Sequence, residues 1–544
     1  MKRLFLAALI VCTPFSGGAM AGEYNLAIDR QMVDVGGRQG ESLTINGQLP
    51  APTLHFTEGE DVVINVTNNL DEDSSLHWHG LLLPGEMDGV PMFNGFPGIK
   101  PGETFTYRFK IRQSGTYWYH SHSGGQEQEG LYGPIIITPK MGEIVKADRD
   151  YVVVLSDFTT ESADEIMRNL KMDSGYYNYA RRTAGDFFSD ISRNGLSTTV
   201  KDRLAWGEMR MDPTDLADVT GYTFLINGKS ESANWTGLYA KGEKVRLRLV
   251  NASAMTYFDF AIPGLKLIVI AADGQDVQPV VVDEIRIAVA ETYDVIVVPK
   301  DERAYTLFAQ SIDRTGYARG TLAPREGMAG DVPPMRARSL LTMNDMGMDH
   351  MEGMDHSSMK MSTMDHSQMD MSAMHKMAKP TDKETDQPMG WASGTPASVK
   401  TLSYADLRSL TRQKDLRKEE REIRIDLGGT MERYIWTLNG KKYDEADVID
   451  LEYGERVKLT FVNKSMMAHP MHLHGMFVQL VNGQPAERLP NKHTVSVPPG
   501  QSYSVMLTAD EAGEWAFHCH LLYHMESGMM RKVTVARLQA EAAQ

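Results

Sequence analysis

Hydrophobic residues along this chain alternate with polar ones in short runs bounded by Gly, Pro and Asn, the period-two pattern of half-buried strands. One run, Gly59-Glu60-x-Val62-x-x-x-Val66-x-Asn68, follows the turn pair Asn46-Gly47. It recurs as Asn227-Gly228 with Gly242-Glu243 to Asn251, and as Asn439-Gly440 with Gly454-Glu455 to Asn463. Three copies of a turn followed by an alternating strand predict an internal repeat of three β units. The expected fold class is all-β, built of packed sandwiches. A second echo pairs Gly115-x-Tyr117-x-Tyr119-His120-Ser121-His122 with Gly513-x-Trp515-x-Phe517-His518-Cys519-His520, and the comparable middle stretch, Tyr305 to Gln310, has no histidine.

The strand period gives those histidines a chemical meaning. Successive side chains on a strand face opposite ways, so His518 and His520 share one face and Cys519 takes the other. A Cys with two His and a weak axial Met is the blue-copper electron-transfer set. His524 and Met529 follow Cys519 at loop spacings, and His469, three residues before His472, is expected on the face opposite His472 and His474. The pairs His77/His79, His120/His122, His472/His474 and His518/His520 add eight histidines. A cluster of three copper ions needs about that many: three imidazoles for each member of an oxygen-bridged pair and two for the third ion. Zinc is the rival metal, but Met is a poor zinc ligand and the set is soft. His77 lies nine residues after Asn68 and His472 nine after Asn463, while the middle copy has Phe260 at that offset. Ligands therefore come from the first and last copies, the cluster is expected between them, and the middle copy is expected to act as a spacer. Ser121 stands where the last copy has Cys519, so a blue site is expected in the last copy alone.

These four segments, in this order, resemble the ligand pattern of the multicopper oxidases. The resemblance implies three cupredoxin-like Greek-key domains, expected at 22–145, 146–335 and 421–544, and four copper ions. It places His469, Cys519, His524 and Met529 on the type 1 copper and His77 and His472 on the type 2 copper. His79, His120, His122, His474, His518 and His520 fall to the type 3 pair. Asp88, in Pro84-Gly85-Glu86-Met87-Asp88-Gly89, matches the family's carboxylate near the cluster; with Cys519, His524 and His469 it completes the expected catalytic set. A turn Asp before Gly is the plain structural alternative. Trp78 and Tyr523 are expected to be packing groups, and His55 and His493 structural or surface residues.

Between the second and third copies, 336–420 forms a Met/His-rich segment and a charged connector, in which Tyr404 to Leu410 reads as weakly helical. Twelve Met fall between Met343 and Met377, and Met-Asp-His-Ser-x-Met occurs twice. With almost no aliphatic or aromatic residues the segment cannot build a core. Thioethers select Cu(I), which makes Met351, Met354, His356, Met359, Met361, Met364, His366 and Met369 candidate Cu(I) ligands; an apolar, peptide-binding Met surface is the alternative. This insertion, with three domains and an export signal, resembles the CopA/PcoA copper-resistance branch of the family.

The signal is 1–21: Lys2-Arg3, an apolar run from Leu4 to Val11, and Ala19-Met20-Ala21 as a cleavage site. It reads as an ordinary Sec leader, whereas the branch commonly carries a twin-arginine one, and it predicts a periplasmic protein. No later stretch is apolar enough to be a transmembrane segment. Cys12 leaves with the leader, so Cys519 is the single Cys of the mature chain, and copper ligation gives it a use. A formal charge of −16 disfavours nucleic acid as a partner and suits cations.

Dioxygen takes four electrons to become water, and four coppers store that many. The expected function is oxidation of Cu(I) to Cu(II) coupled to that reduction, in copper tolerance. Alternatives are laccase-like oxidation of a phenolic small molecule, and copper sequestration or carriage; nitrite reduction has no use for the His-Cys-His segment. Partners left open are periplasmic copper-handling proteins or an outer-membrane component.

Overall fold

A computed structural model of the chain describes residues 22–209, 211–346, 395 and 398–537. The leader at 1–21 and the candidate Cu(I) ligands Met351, Met354, His356, Met359, Met361, Met364, His366 and Met369 lie outside those residues.

The described strands form six sheets, paired along the chain. The first pair spans 22–138. One sheet has the order Gln39–Ile45, Gly22–Asp34, Asp61–Asn68, Thr104–Lys110, and the other Leu54–Thr57, Tyr132–Thr138, Gly115–His120, His77–His79. The second pair, of six and five strands, spans 149–323, and the third, also of six and five, spans 421–536. In each pair the opening strand lies parallel to the strand of the repeated motif: Gly22 opposite Val62, Arg149 opposite Val245, Arg421 opposite Val457. Alternation does the sorting, since Val62, Ile64 and Val66 are buried while Asp61 is exposed.

The threefold repeat extends to hydrogen bonds. Asn46, Asn227 and Asn439 all sit at φ near +50°, followed by glycines at φ +71° to +73°, the left-handed turn that Asn-Gly favours. Their side-chain oxygens accept from Ala27 N, Val154 N and Asp426 N, each at 2.7 Å. Asn68, Asn251 and Asn463 end the repeated strands, buried, and each amide donates to two backbone carbonyls, one four or five residues on and one on a more distant stretch.

Two features depart from the sequence reading. Helices Ala163–Met172, Ala184–Asn194 and Leu196–Glu208 interrupt the middle β unit, two of them opened by capping boxes at Ser162/Glu165 and Thr183/Asp186. Of the Tyr404–Leu410 run, only Tyr404–Asp406 is helical, a single 3-10 turn. Seven residues are too few to hold an isolated helix; the run instead lies along the middle sheet, with Ser409 bridged to Val277 and Leu407 fully buried.

Candidate metal centre

Two short ladders carry most of the predicted ligands. His77–His79 pairs antiparallel with Gly115–His120, setting His77 opposite His120. His469–Leu473 pairs with Gly513–Cys519, setting His472 opposite His518 and Met471 opposite Cys519. Alternation then acts on each strand. Trp78, between His77 and His79, packs into the core of the first sheet pair, and Cys519, between His518 and His520, turns away from them.

The eight paired histidines converge between the first and third sheet pairs, seven of them buried and His122 half-buried. His77 lies 3.9 Å from His474 between ring centroids, His79 3.8 Å from His472, and His120 5.0 Å from His520. Outer groups fix how each ring is turned. His77 Nδ1 donates to the Asp88 carbonyl (2.9 Å), His472 Nδ1 to the His493 carbonyl (2.7 Å), His518 Nδ1 to the Cys519 carbonyl (2.9 Å) and His474 Nδ1 to Asp88 Oδ2 (2.9 Å). His120 Nδ1 meets the Ser121 carbonyl at 2.9 Å and Glu127 Oε2 at 2.7 Å. The inward nitrogens have no such partners: His77 Nε2, His79 Nδ1, His120 Nε2, His472 Nε2 and His520 Nε2 are buried without a hydrogen bond. His518 Nε2 faces His474 Nε2 at 3.0 Å and His122 Nε2 at 3.4 Å. Burial first, and neighbouring imidazoles after it, hold His79, His122, His472, His474 and His520 well below the ordinary histidine range. Burial likewise pushes His518 down to about 4. Neutral rings with unpartnered inward lone pairs cost free energy in a dry site and are the form that binds metal, so the donor set fits copper.

The second group forms on the other face of the Cys519 strand. Cys519 Sγ lies 3.5 Å from His469 Nδ1 and 3.7 Å from His524 Nδ1, and the two nitrogens are 3.1 Å apart. Met529 is buried; its N–H donates to the His524 carbonyl and its carbonyl accepts from Cys519 N, both at 3.0 Å. Burial raises the Cys519 thiol, which a soft cation would reverse by taking the thiolate. His469 Nε2 is 2.6 Å from Ser465 Oγ. Trp436 stacks on His524 at 3.9 Å.

Asp88 stands at the cluster's edge, with Oδ1 3.3 Å from His77 Nδ1 and Oδ2 on His474. Gly89 permits this: it sits at φ +79°, and a Cβ there would overlap the Leu76 carbonyl. Three ionisable side chains that touch the two groups had no part assigned to them from sequence. Asp218, from the middle sheet pair's loops, accepts from His524 Nε2 at 2.7 Å and from the Tyr434 hydroxyl at 2.7 Å. Glu127 touches His120, and burial pushes its carboxyl well up. His493 lies in the interior, its Nδ1 3.1 Å from His79 Nε2. The middle unit is therefore more than a spacer, since Asp218 contacts His524 and Asp273 accepts from His493 N at 3.1 Å. Only Glu127 left a local signal, five residues after His122; the other contacts join distant stretches. Trp78 and Tyr523 are buried packing groups, and His55 is exposed.

Three multicopper oxidase family models match the chain in series, at residues 28–142, 149–327 and 417–539. Copper resistance protein A of Escherichia coli is 47% identical, over 98% of this chain and 95% of its own. Copper resistance protein A of Pseudomonas syringae pv. tomato is 48% identical, over 94% of this chain and 92% of its own. The solved structure of Fet3p, a multicopper oxidase that functions in iron import, superposes with a TM-score of 0.68 at 18% identity, covering 95% of this chain and 90% of that one. A laccase from Botrytis aclada superposes at 0.66 with 21% identity, covering 96% and 89%. Family models that cover most of the chain, relatives near half identity along its whole length, and buried imidazole and thiol groups turned on two centres agree: the chain belongs to the multicopper oxidases, in their copper-resistance branch, and is a copper-dependent oxidase that uses oxygen.

Proposed function

We propose that the protein is a periplasmic cuprous oxidase that converts Cu(I) to Cu(II) and dioxygen to water, and so lowers the toxicity of copper in the envelope. The observation that carries this reading is the Asp218 carboxylate on His524 Nε2. The rings of His469 and His524 are wholly buried, and what stands at the outer edge of His524 is an anion suited to a cationic donor. Asp215 adds a second buried carboxyl beside Asp218, raised by burial and then by Asp218 itself. The names of the copper-resistance relatives point the same way.

In this reading His469, Cys519, His524 and Met529 hold one copper, and His77 and His472 a second. His79, His120 and His520 would hold a third, and His122, His474 and His518 a fourth. When bound, the coppers supply stepwise acceptance of four electrons and their delivery to dioxygen. Cys519 joins the two centres through its own backbone, because its neighbours His518 and His520 belong to the other one. Asp218 and Tyr434 hold the outer edge of His524 and exclude water from it. Asp88 orients His77 and His474 and offers Oδ1 as a resting place for protons bound for the oxygen site. Residues 1–21 serve as the export leader, the three sheet pairs are cupredoxin-like domains with the bounds given above, and the Met-rich segment collects Cu(I).

The deciding measurement is steady-state oxygen consumption by the copper-loaded protein, with Cu(I) and separately with a bulky phenol. Rapid uptake with Cu(I), ending in water rather than peroxide, is the expected result. Faster turnover of the phenol would move the assignment to a laccase, and no uptake with either donor would leave sequestration.

A further inference from the structure

His79 is turned the opposite way from its fellows. His77, His472, His474 and His518 donate outward from Nδ1. His79 instead keeps Nδ1 inward without a partner and presents Nε2 outward. An outward Nε2–H needs an acceptor, or the ring is free to turn. His493 Nδ1 lies 3.1 Å away, supported by Thr494 Oγ1 at 3.3 Å from the same His79 nitrogen and 3.0 Å from His493 Nδ1. The His493 carbonyl meanwhile accepts from His472 Nδ1. One buried residue thus stands behind two inward-facing rings.

We propose that His493 is a positioning residue of the copper cluster: its side chain fixes the rotation and tautomer of His79, and its main chain fixes His472. Its contact is with the outward nitrogen of His79, which places it behind that ring and not among the ligands. The support behind His493 is rigid. Asp273 accepts from His493 N and Thr494 N at 3.1 Å each and from Thr292 N at 3.1 Å. Lys492, wholly buried, meets Asp273 at 3.1 Å and Glu291 at 2.9 Å. Gly80 at φ +80° lets the ring approach, since a Cβ there would overlap it. The middle sheet pair therefore reaches the cluster through Asp273 and His493.

The inference rests on the ligand assignment proposed above, and two amides test it in the full chain. His493→Asn carries its amide where His493 has Nδ1, within reach of His79 Nε2. His493→Gln matches the histidine's size better but carries its amide near the Nε2 position. Copper retained against a chelator, the near-ultraviolet absorption of the bridged pair, and the blue band are read together. Positioning predicts a near-native Asn variant, and a Gln variant whose cluster binds copper roughly ten- to a hundredfold more weakly, with a weakened pair absorption and an unchanged blue band. A merely space-filling residue predicts the reverse order. Gln milder than Asn, both like wild type, or both equally impaired would overturn the inference. Should the Gln variant not fold, the Asn variant decides alone: a native pair absorption supports positioning, and a lost one with the blue band intact refutes it. A wild-type protein that itself lacks the pair absorption would instead refute the ligand assignment.

Discussion

In the proposed ligand assignment, replacing the sulfur of Cys519 by oxygen separates the two centres that this one residue joins. A hydroxyl is too hard and too weakly acidic to act as the thiolate, so Cys519→Ser is expected to abolish the blue absorption and reduce turnover to background. The cluster should still load, because five of its imidazoles are held by Asp88, Glu127 and backbone carbonyls and a sixth, His79, by His493 and Thr494, none of which contacts Cys519 Sγ. Optical spectra with a copper count check this. A variant that stays blue would show that the thiolate centre lies elsewhere. At this scale much of the site was legible, because His-Cys-His on a strand leaves one choice of faces and soft donors leave few metals. His493 was not, since nothing local marks a histidine whose use lies 414 residues away on His79.

The strand His77–His79 puts two kinds of energy on its two sides. Trp78 faces the core of the first sheet pair, against Tyr107 at 5.0 Å and Tyr119 at 5.8 Å, while His77 faces the cluster. Trp78→Ala is expected to cost about 3–5 kcal/mol of folding stability. His77→Ala removes an imidazole with an unpartnered buried nitrogen. It should cost the copper-free protein less stability than Trp78→Ala, because loss of the bond to the Asp88 carbonyl is offset by removal of an orphaned nitrogen, while removing the copper assigned to His77 and His472 and disabling oxygen reduction without loss of blue colour. Denaturant titration of both copper-free variants, and metal analysis of loaded His77→Ala, check the pair; equal destabilisation would mean that the strand does not sort its faces this way. Strands were legible because alternation and the Asn-Gly turns recur in all three copies. The helices were not: Ala184–Asn194 carries Phe187, Phe188 and Ile191 at helical spacing, but it is only 11 residues long and buries none of them, it falls inside a repeat of strands, and its capping box is a weak local signal.

For the molecule as a whole, chain order conceals which stretches meet. Asp218 and His524 are 306 residues apart, and no periodicity links them; they touch because the middle and third sheet pairs share one hydrophobic core. The same packing fixes where the Met-rich segment starts. Leu341 N donates to the Pro213 carbonyl at 2.8 Å and Arg338 to the Thr214 carbonyl at 2.8 Å, so the described start of the segment lies against the loop that carries Asp215 and Asp218. If Cu(I) is the substrate, as proposed above, the twelve thioethers between Met343 and Met377, joined in sequence to residues packed on that loop, would raise the local Cu(I) concentration. Removing residues 347–377, which carry ten of the twelve, is therefore expected to lower Cu(I) turnover, chiefly at low free copper, and to leave phenol oxidation unchanged or higher. The folded units should survive, because changing linker length costs only about 0.6 kcal/mol per doubling. Replacing every Met of the segment by Leu isolates the sulfur, since Leu keeps the apolar bulk and cannot ligate Cu(I); it should reproduce the deletion. Oxygen-uptake rates across buffered free Cu(I) decide the matter. Identical curves for the wild type, the deletion and the Leu variant would reduce the segment to a tether, while a loss in the deletion alone would assign its effect to bulk rather than to sulfur.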